Sequence, residues 1–440
     1  MLGHGISADQ LSVVVQPIGS PEPVLAHLPD VPRNPASVMK LVTTWAALEM
    51  LGPAYTWPTE VYFGGELDGS SLDGDLLLKG YGDPYLVLEE FWKLLRALRR
   101  LGLEDINGDL VIDDSFFFVD EPGPGAFDNQ PFRTYNVLPN ALLVNFKAVQ
   151  FQFVATASSG RVDVLLDPVL SNLDIDNRIG VAEGVCRGYQ AGISVDVRGA
   201  GLAEIHFDGA FPRRCGSYRM SRTVLEHDTY TFGLFETLWD EMGGRIDGGP
   251  RKGVAPKDAT PALTWRSPPL ADVVRSINKN SNNVMTRQLL YTLGAEMLEA
   301  PGTRRKGVQA ISDFLAAQGF DVGALVIDNG AGLSRNARVS ARLLADLLRA
   351  ATASPYAPEF VSSLSLGGLD GTTRSRFNGH SAVMHVKTGR IDHVSALAGY
   401  LRAASGRDYV VAIMVNANDA HRGPGQELEE AVVQWVYDHL

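Results

Sequence analysis

The residues of this chain best suited to chemistry fall in three short runs: Ser37-Val38-Met39-Lys40, Ser281-Asn282-Asn283 and Lys387-Thr388-Gly389. A serine with a lysine three positions on is an activated-nucleophile pair if both lie on one helix, because side chains at i and i+3 meet there. An ammonium set among apolar neighbours loses hydration and its pKa falls, so the neutral amine can take the serine proton. The second run adds a hydroxyl able to relay a proton and a carboxamide able to bond a peptide backbone. The third adds another lysine beside a glycine that lets substrate backbone approach closely. Together they describe a serine acyl-enzyme site. Singly, each also has a plain structural account: a helix start with a lysine reaching solvent, a solvated loop, and a strand-end lysine.

Elements suited to holding these residues are visible around each run. Pro35 stands just before the first, as proline does near helix starts. Val38, Leu41, Val42, Trp45 and Leu48 recur at helical spacing, which predicts a helix with a broad apolar face through about Met50. The polar stretch Asn278 to Asn283 separates two helical patterns, Leu270, Val273, Val274 and Ile277 before it and Val284, Met285, Leu289 and Leu290 after it. The third run is expected to end a strand, Ser381 to Val386, with His385 and Lys387 on one face; His385 should pack beside Lys387 without catalysing. Val394 to Leu401 and Tyr409 to Val415 follow as strands, giving an antiparallel meander, and Leu11 to Val15 and Pro23 to His27 are strand-like near the start. The three runs can share a site only if the long middle is looped out, so one domain must be discontinuous.

In this order the runs are similar to the Ser-x-x-Lys, Ser-Asp-Asn and Lys-Thr-Gly signature of penicillin-binding proteins and class A β-lactamases, with Asn282 where Asp is usual. Further stretches carry the similarity: Gly80-Tyr81-Gly82-Asp83-Pro84, Asp328-Asn329-Gly330-Ala331-Gly332-Leu333-Ser334-Arg335, Leu369-Asp370-Gly371-Thr372 and Ala396-Leu397-Ala398-Gly399-Tyr400. Tyr135-Asn136 and Leu143-Val144-Asn145-Phe146 add to it. Over most of its length the chain resembles the D-Ala-D-Ala carboxypeptidase/endopeptidase family of low-molecular-mass, class C penicillin-binding proteins. The resemblance implies an α/β fold: a discontinuous transpeptidase/β-lactamase-like domain, an antiparallel sheet flanked by helices, with two nested, strand-rich inserted domains. Here these would be residues 1–60 and 257–440 for the catalytic domain, 61–143 and 220–256 for domain II, and 144–219 for domain III.

The resemblance also implies roles. Ser37 would attack the penultimate D-Ala carbonyl of a muropeptide stem and Lys40 would take its proton. Ser281 would relay that proton to the leaving amine, Asn283 would hold the substrate backbone, and Lys387 would stabilise the relay and the substrate carboxylate. Thr388, Gly389 and Arg390 would line the substrate, with the backbone N–H groups of Ser37 and Arg390 holding the oxyanion. Members that grip a diaminopimelate side chain use an acidic residue before the Tyr135 region, for which Asp128 or the neighbouring Gln130 is the candidate. β-Lactam antibiotics would acylate Ser37. Two departures stand out: Arg390 replaces a usual Thr or Ser, and Leu364-Ser365 replaces Leu-Pro. A catalytically idle wall-binding module, or a β-lactamase or esterase of the same fold, would also keep Ser37.

The 440 residues suffice for two or three domains, and 45% hydrophobic content fills sizeable cores. A net charge of −12 argues against nucleic acid and leaves at most a peripheral association with membranes. No apolar run reaches the ~20 residues a membrane span needs. Met1 to Gly5 lacks the charged start and apolar core of a signal peptide, so the family reading puts the protein in the periplasm with its export signal absent from this chain. It also allows a homodimer. Without a His-Glu-x-x-His or paired Cys-x-x-Cys, neither metal nor other cofactor is expected. Cys186 and Cys215 are expected to form a disulfide, with two buried thiols as the alternative. Gly248 to Asp258 reads as a linker, Leu86 to Leu101 as an amphipathic helix, and Glu427, Glu429 and Glu430 as a solvated acidic helix end.

Overall fold

Val394 to Leu401 and Tyr409 to Val415 lack the polar alternation of a half-exposed strand, so both of their faces must be covered. The computed structural model, which describes residues 5–155, 160–198, 203–377 and 383–440, has them in a sandwich. Its six-stranded antiparallel sheet comprises β1 (Leu11–Pro17), β2 (Leu25–His27), β3 (Ser365–Leu366), β4 (Met384–Ile391), β5 (Val394–Arg402) and β6 (Asp408–Asn416), in the order β3-β4-β5-β6-β1-β2. On one face, Val13, Val15, Val386, Leu397, Val411 and Ile413 pack against Leu428, Val433 and Val436 of the C-terminal helix Pro424–His439. On the other lie α1 (Lys40–Leu51), α2 (Leu270–Asn280), α3 (Asn283–Leu298) and α4 (Ala341–Ala353), with α4 against β1 and β6 and the turn before α1 against β4 and β5. Helix α1 is buried all round from Lys40 to Leu48, not on one face only, and a 3₁₀ turn, Ala36–Met39, leads into it.

The chain divides into two compact units. The first comprises Met1–Trp57, Phe116–Asp120 and Pro268–Leu440, and the second Pro58–Ser115 and Glu121–Ser267. The sequence reading gave residues 116–120 to the inserted part. They join the first unit because the Phe117 and Tyr291 rings meet at 5.4 Å and the backbone of Phe116 and Phe118 bonds to Gly302. In the second unit, a five-stranded sheet built on Pro58–Phe63, Leu76–Gly80 and Leu110–Asp113 packs with helices Leu88–Arg100 and His227–Glu241. Two three-stranded sheets lie between residues 149 and 222, Phe207 of one meeting Phe151 and Phe153 of the other. Cys186 and Cys215 are bridged there, Cα atoms 5.4 Å apart.

Three sequence readings need correction. The strand carrying Lys387 does not stop at Val386: β4 pairs with β5 through to Ile391, and the hairpin turns at His393, whose φ is +65°. Ser381 and Ala382 lie outside the described residues. Within the expected linker, Pro250–Lys252 is an exposed edge strand parallel to Leu110–Ile112, where polar side chains are no obstacle to pairing. Glu429 is fully buried, because its carboxylate accepts from Ser395 Oγ at 2.6 Å and from Arg376 Nη2 at 2.8 Å.

Candidate active site

The turn bearing Ser37 is held by backbone contact on two sides. Ala36 sits in the left-handed region at φ +45°, its N–H donating to Asn34 Oδ1, while Asn34 and Asn416 exchange two hydrogen bonds at 2.8 and 3.0 Å. A Cβ built on Gly389 would lie 2.3 Å from the Pro35 carbonyl oxygen and 3.0 Å from the Ser37 nitrogen; one on Gly332 would lie 1.8 Å from the Ala36 carbonyl oxygen. The space at Gly389 that the sequence reading reserved for substrate is thus taken by the turn that bears Ser37.

Lys40, one helical turn on, is fully buried and donates from Nζ to Ser37 Oγ (3.0 Å), Asn283 Oδ1 (2.7 Å) and the Ala331 carbonyl (2.6 Å). Two of these partners can only accept; the serine hydroxyl alone can also donate. A neutral amine is therefore satisfied here, its two N–H bonds going to Asn283 and Ala331 and its lone pair facing the serine proton. Burial, and after it the charge of Lys387, hold the Lys40 pKa well below the usual lysine value.

Ser281 occupies the junction of α2 and α3, itself left-handed at φ +55°. Asn282 caps α3 by accepting from Met285 N–H at 3.0 Å, and the buried Asn278 ties α2 to Thr44 Oγ1 and Ser363 Oγ. Lys387 reaches this junction from β4, donating to Ser281 Oγ at 3.0 Å and to the Thr388 carbonyl at 2.8 Å. Its burial is complete and brings its pKa down to about 7. Ser37, Lys40 and Asn283 thus form one hydrogen-bonded group and Ser281 with Lys387 another, the two lysines close enough for their charges to act on each other.

The remaining predicted residues divide. Thr388 and Arg390 share the β4 face opposite Lys387 and Gly389. Thr388 Oγ1 meets Thr372 Oγ1 at 2.7 Å, whereas the Arg390 guanidinium is exposed and has no partner among the described residues. Asp128 belongs to the second unit, where it accepts from Tyr135 Oη (2.7 Å) and Asn136 Nδ2 (2.8 Å). His385 is half-buried with Nδ1 3.2 Å from the Val361 carbonyl. Sequence reasoning missed the Ala331 carbonyl, which as a backbone group has no side-chain signature, and Thr372. Both lie in stretches noted above for their likeness to the family.

A serine hydroxyl against a buried amine, with a second serine on a second buried lysine, offers the groups that serine acyl transfer needs. The chain belongs to the D-Ala-D-Ala carboxypeptidase 3 (S13) family, whose sequence profile matches residues 4–438, and it is a serine-type DD-peptidase. It is 30% identical over 413 residues to a D-alanyl-D-alanine carboxypeptidase from an Actinomadura species, covering 89% of this chain and 74% of that one. It is 24% identical over 385 residues to D-alanyl-D-alanine carboxypeptidase DacB of Haemophilus influenzae, covering 87% and 80%. The crystal structure of penicillin binding protein 4 from Haemophilus influenzae has the same fold, with TM-score 0.83 at 22% identity over 98% of this chain and 96% of that one. This membership decides for an enzyme over the idle wall-binding module. Among the described residues no helix is long and apolar enough to cross a membrane.

Proposed function

We propose that Ser37 is the nucleophile of this DD-peptidase, acting on peptidoglycan stem peptides and acylated by β-lactams. The observation that carries the reading is the burial of Lys40 with Ser37 Oγ as its one partner able to give a proton. Ser37 Oγ bonds to the carbonyl carbon of the penultimate D-Ala while its proton passes to Lys40 Nζ. The backbone N–H groups of Ser37 and Arg390 hold the oxyanion; losing one such donor typically costs about 10²–10³ in rate. As the C–N bond breaks, the leaving amine takes the Ser281 proton, which the lysines replace, and water then hydrolyses the ester. Asn283 fixes the base through Oδ1, and Nδ2, with no acceptor among the described residues, meets a substrate carbonyl. A β-lactam follows the same path until ring opening leaves a slowly hydrolysed ester. A peptidoglycan substrate assigns the protein to the periplasm.

Intact mass after benzylpenicillin, followed over time, tests this reading. The wild-type chain should gain a persistent single adduct and Ser37→Ala none; an adduct on the variant would put the nucleophile elsewhere.

Arg390 is assigned to the substrate's terminal carboxylate, because its unpaired guanidinium offers a two-donor fork on the Thr388 face. Asp128, oriented by Tyr135 and Asn136, is assigned to an amino group on the stem peptide. Arg390→Ala should lower kcat/KM about ten- to a hundredfold on free-carboxylate substrates. Asp128→Asn should lower it only where the stem carries a free amine. Equal losses with the carboxylate or the amine blocked would remove either assignment.

A further inference from the structure

The departure at Ser365 acquires a role once three hydroxyls are traced across the open edge of β4. Ser365 is fully buried in β3, and its Oγ accepts from the Thr372 N–H at 3.3 Å. That approach is allowed by Gly371, which is left-handed at φ +55° and whose added Cβ would lie 2.3 Å from Ser365 Oγ. With Ser365 accepting from the backbone, its own proton has the 3.5 Å contact to Thr372 Oγ1 as its outlet among the described residues. Thr372 Oγ1 in turn meets Thr388 Oγ1 at 2.7 Å, a bond in which either hydroxyl can donate. With Thr372 as the donor, Thr388 accepts that bond and its own proton is left for an outward partner.

The segment bearing Thr372 is anchored on both sides. Asp370 pairs with Lys279 at the end of α2 and accepts from Leu366 N–H at 2.7 Å. Beyond Thr372, Arg376 is bonded to Glu429 and Glu430 on the C-terminal helix. Such bracing fixes the position of Thr372 Oγ1 between Ser365 and Thr388.

We infer that Ser365 and Thr372 are positioning residues that polarise the Thr388 hydroxyl as an outward donor, making this edge select ligands ending in a carboxylate. This rests on the reading of Ser37 as nucleophile and deepens it. An outward O–H suits an anionic acceptor and has less to gain from a neutral amide. Neither residue touches the reacting atoms, so the effect belongs to ligand selection and not to the acylation step itself.

The test compares a peptide ending in D-Ala-D-Ala with its C-terminal carboxamide, on the full chain. Thr372→Val should lower kcat/KM on the acid about tenfold, mostly through KM, and on the amide less than about twofold. Ser365→Ala should act in the same sense by about threefold, and Thr372→Ser should restore near wild-type selectivity. Equal losses on acid and amide, or failure of Thr372→Ser to restore selectivity, would overturn the polarised chain in favour of simple packing. If Thr372→Val misfolds, Ser365→Ala and Thr372→Ser alone decide: unchanged selectivity in the first, or lost selectivity in the second, overturns it. A wild-type chain that takes up no benzylpenicillin would instead remove the Ser37 reading, and this role with it.

Discussion

The turn bearing Ser37 and the junction bearing Ser281 pose the same local problem and solve it differently. Each presents a serine at a helix boundary with a non-glycine residue in the left-handed region, Ala36 in one and Ser281 itself in the other, at a strain of about 1–3 kcal/mol each. The Ser37 turn is held by backbone pressed on backbone, with Gly389 and Gly332 leaving no room for another atom. The Ser281 junction is held by replaceable side-chain bonds from Asn278, Asn282 and Lys387. Steric holding cannot be trimmed by degrees; hydrogen-bonded holding can.

The largest expected effect breaks the first device. Gly389→Ala must move β4 or the turn by about 1 Å, so benzylpenicillin acylation should fall about a hundredfold. A variant acylated at the wild-type rate would show that the close approach is not what fixes the nucleophile.

Next comes the pair of lysines, one on each serine. Acylation should rise with pH on the acid side as Lys40 loses its proton, and fall above about pH 7 as Lys387 loses its own. Each limb should change about tenfold per pH unit. Lys387→Arg should carry the falling limb to higher pH; a limb that stays put belongs to another group. Stability follows the same lysine. Its folded pKa of about 7 lies below the unfolded 10.5, so the unfolded chain binds the extra proton between those values and stability should rise with pH across that window. Denaturant titrations across the window should show that slope lessened in Lys387→Met.

The smallest effect is at the second device. Asn282→Ala removes one cap and should cost about 1 kcal/mol of unfolding free energy, with acylation changed less than about threefold. A hundredfold loss of acylation there would erase the contrast between the two serines.

How much of this was readable beforehand depends on what kind of atom does the work. The pairings of Ser37 with Lys40 and of Lys387 with Ser281 were legible because they join side chains that short motifs name at fixed spacings. The Ala331 carbonyl was not, since any residue supplies one and only the 328–334 loop aims it at Lys40. Glu429 looked solvated because an acidic helix start is normally so, and its burial is decided by Arg376, fifty-three positions away in sequence. Gly389 was recognised as a place of close approach, but which backbone approaches is a tertiary fact. The strand order failed to show in Pro250–Lys252 because an exposed edge strand has no apolar pattern to display.

The reciprocal bonds between Asn34 and Asn416 have a consequence for the order of events during synthesis. They join positions 382 apart, and β1 likewise pairs with β6, its neighbour in space from the far end of the sequence. Synthesis delivers Ser37 before the whole Pro58–Ser267 stretch, whereas Asn416, which clamps its turn, emerges after it. Meanwhile the stretch from Pro58 to Ser267 has most of its partners within itself and can condense early. If Ser37 is the nucleophile, it is made well before the bonds that hold its turn, so a chain ending short of Asn416 should carry the serine without its reactivity.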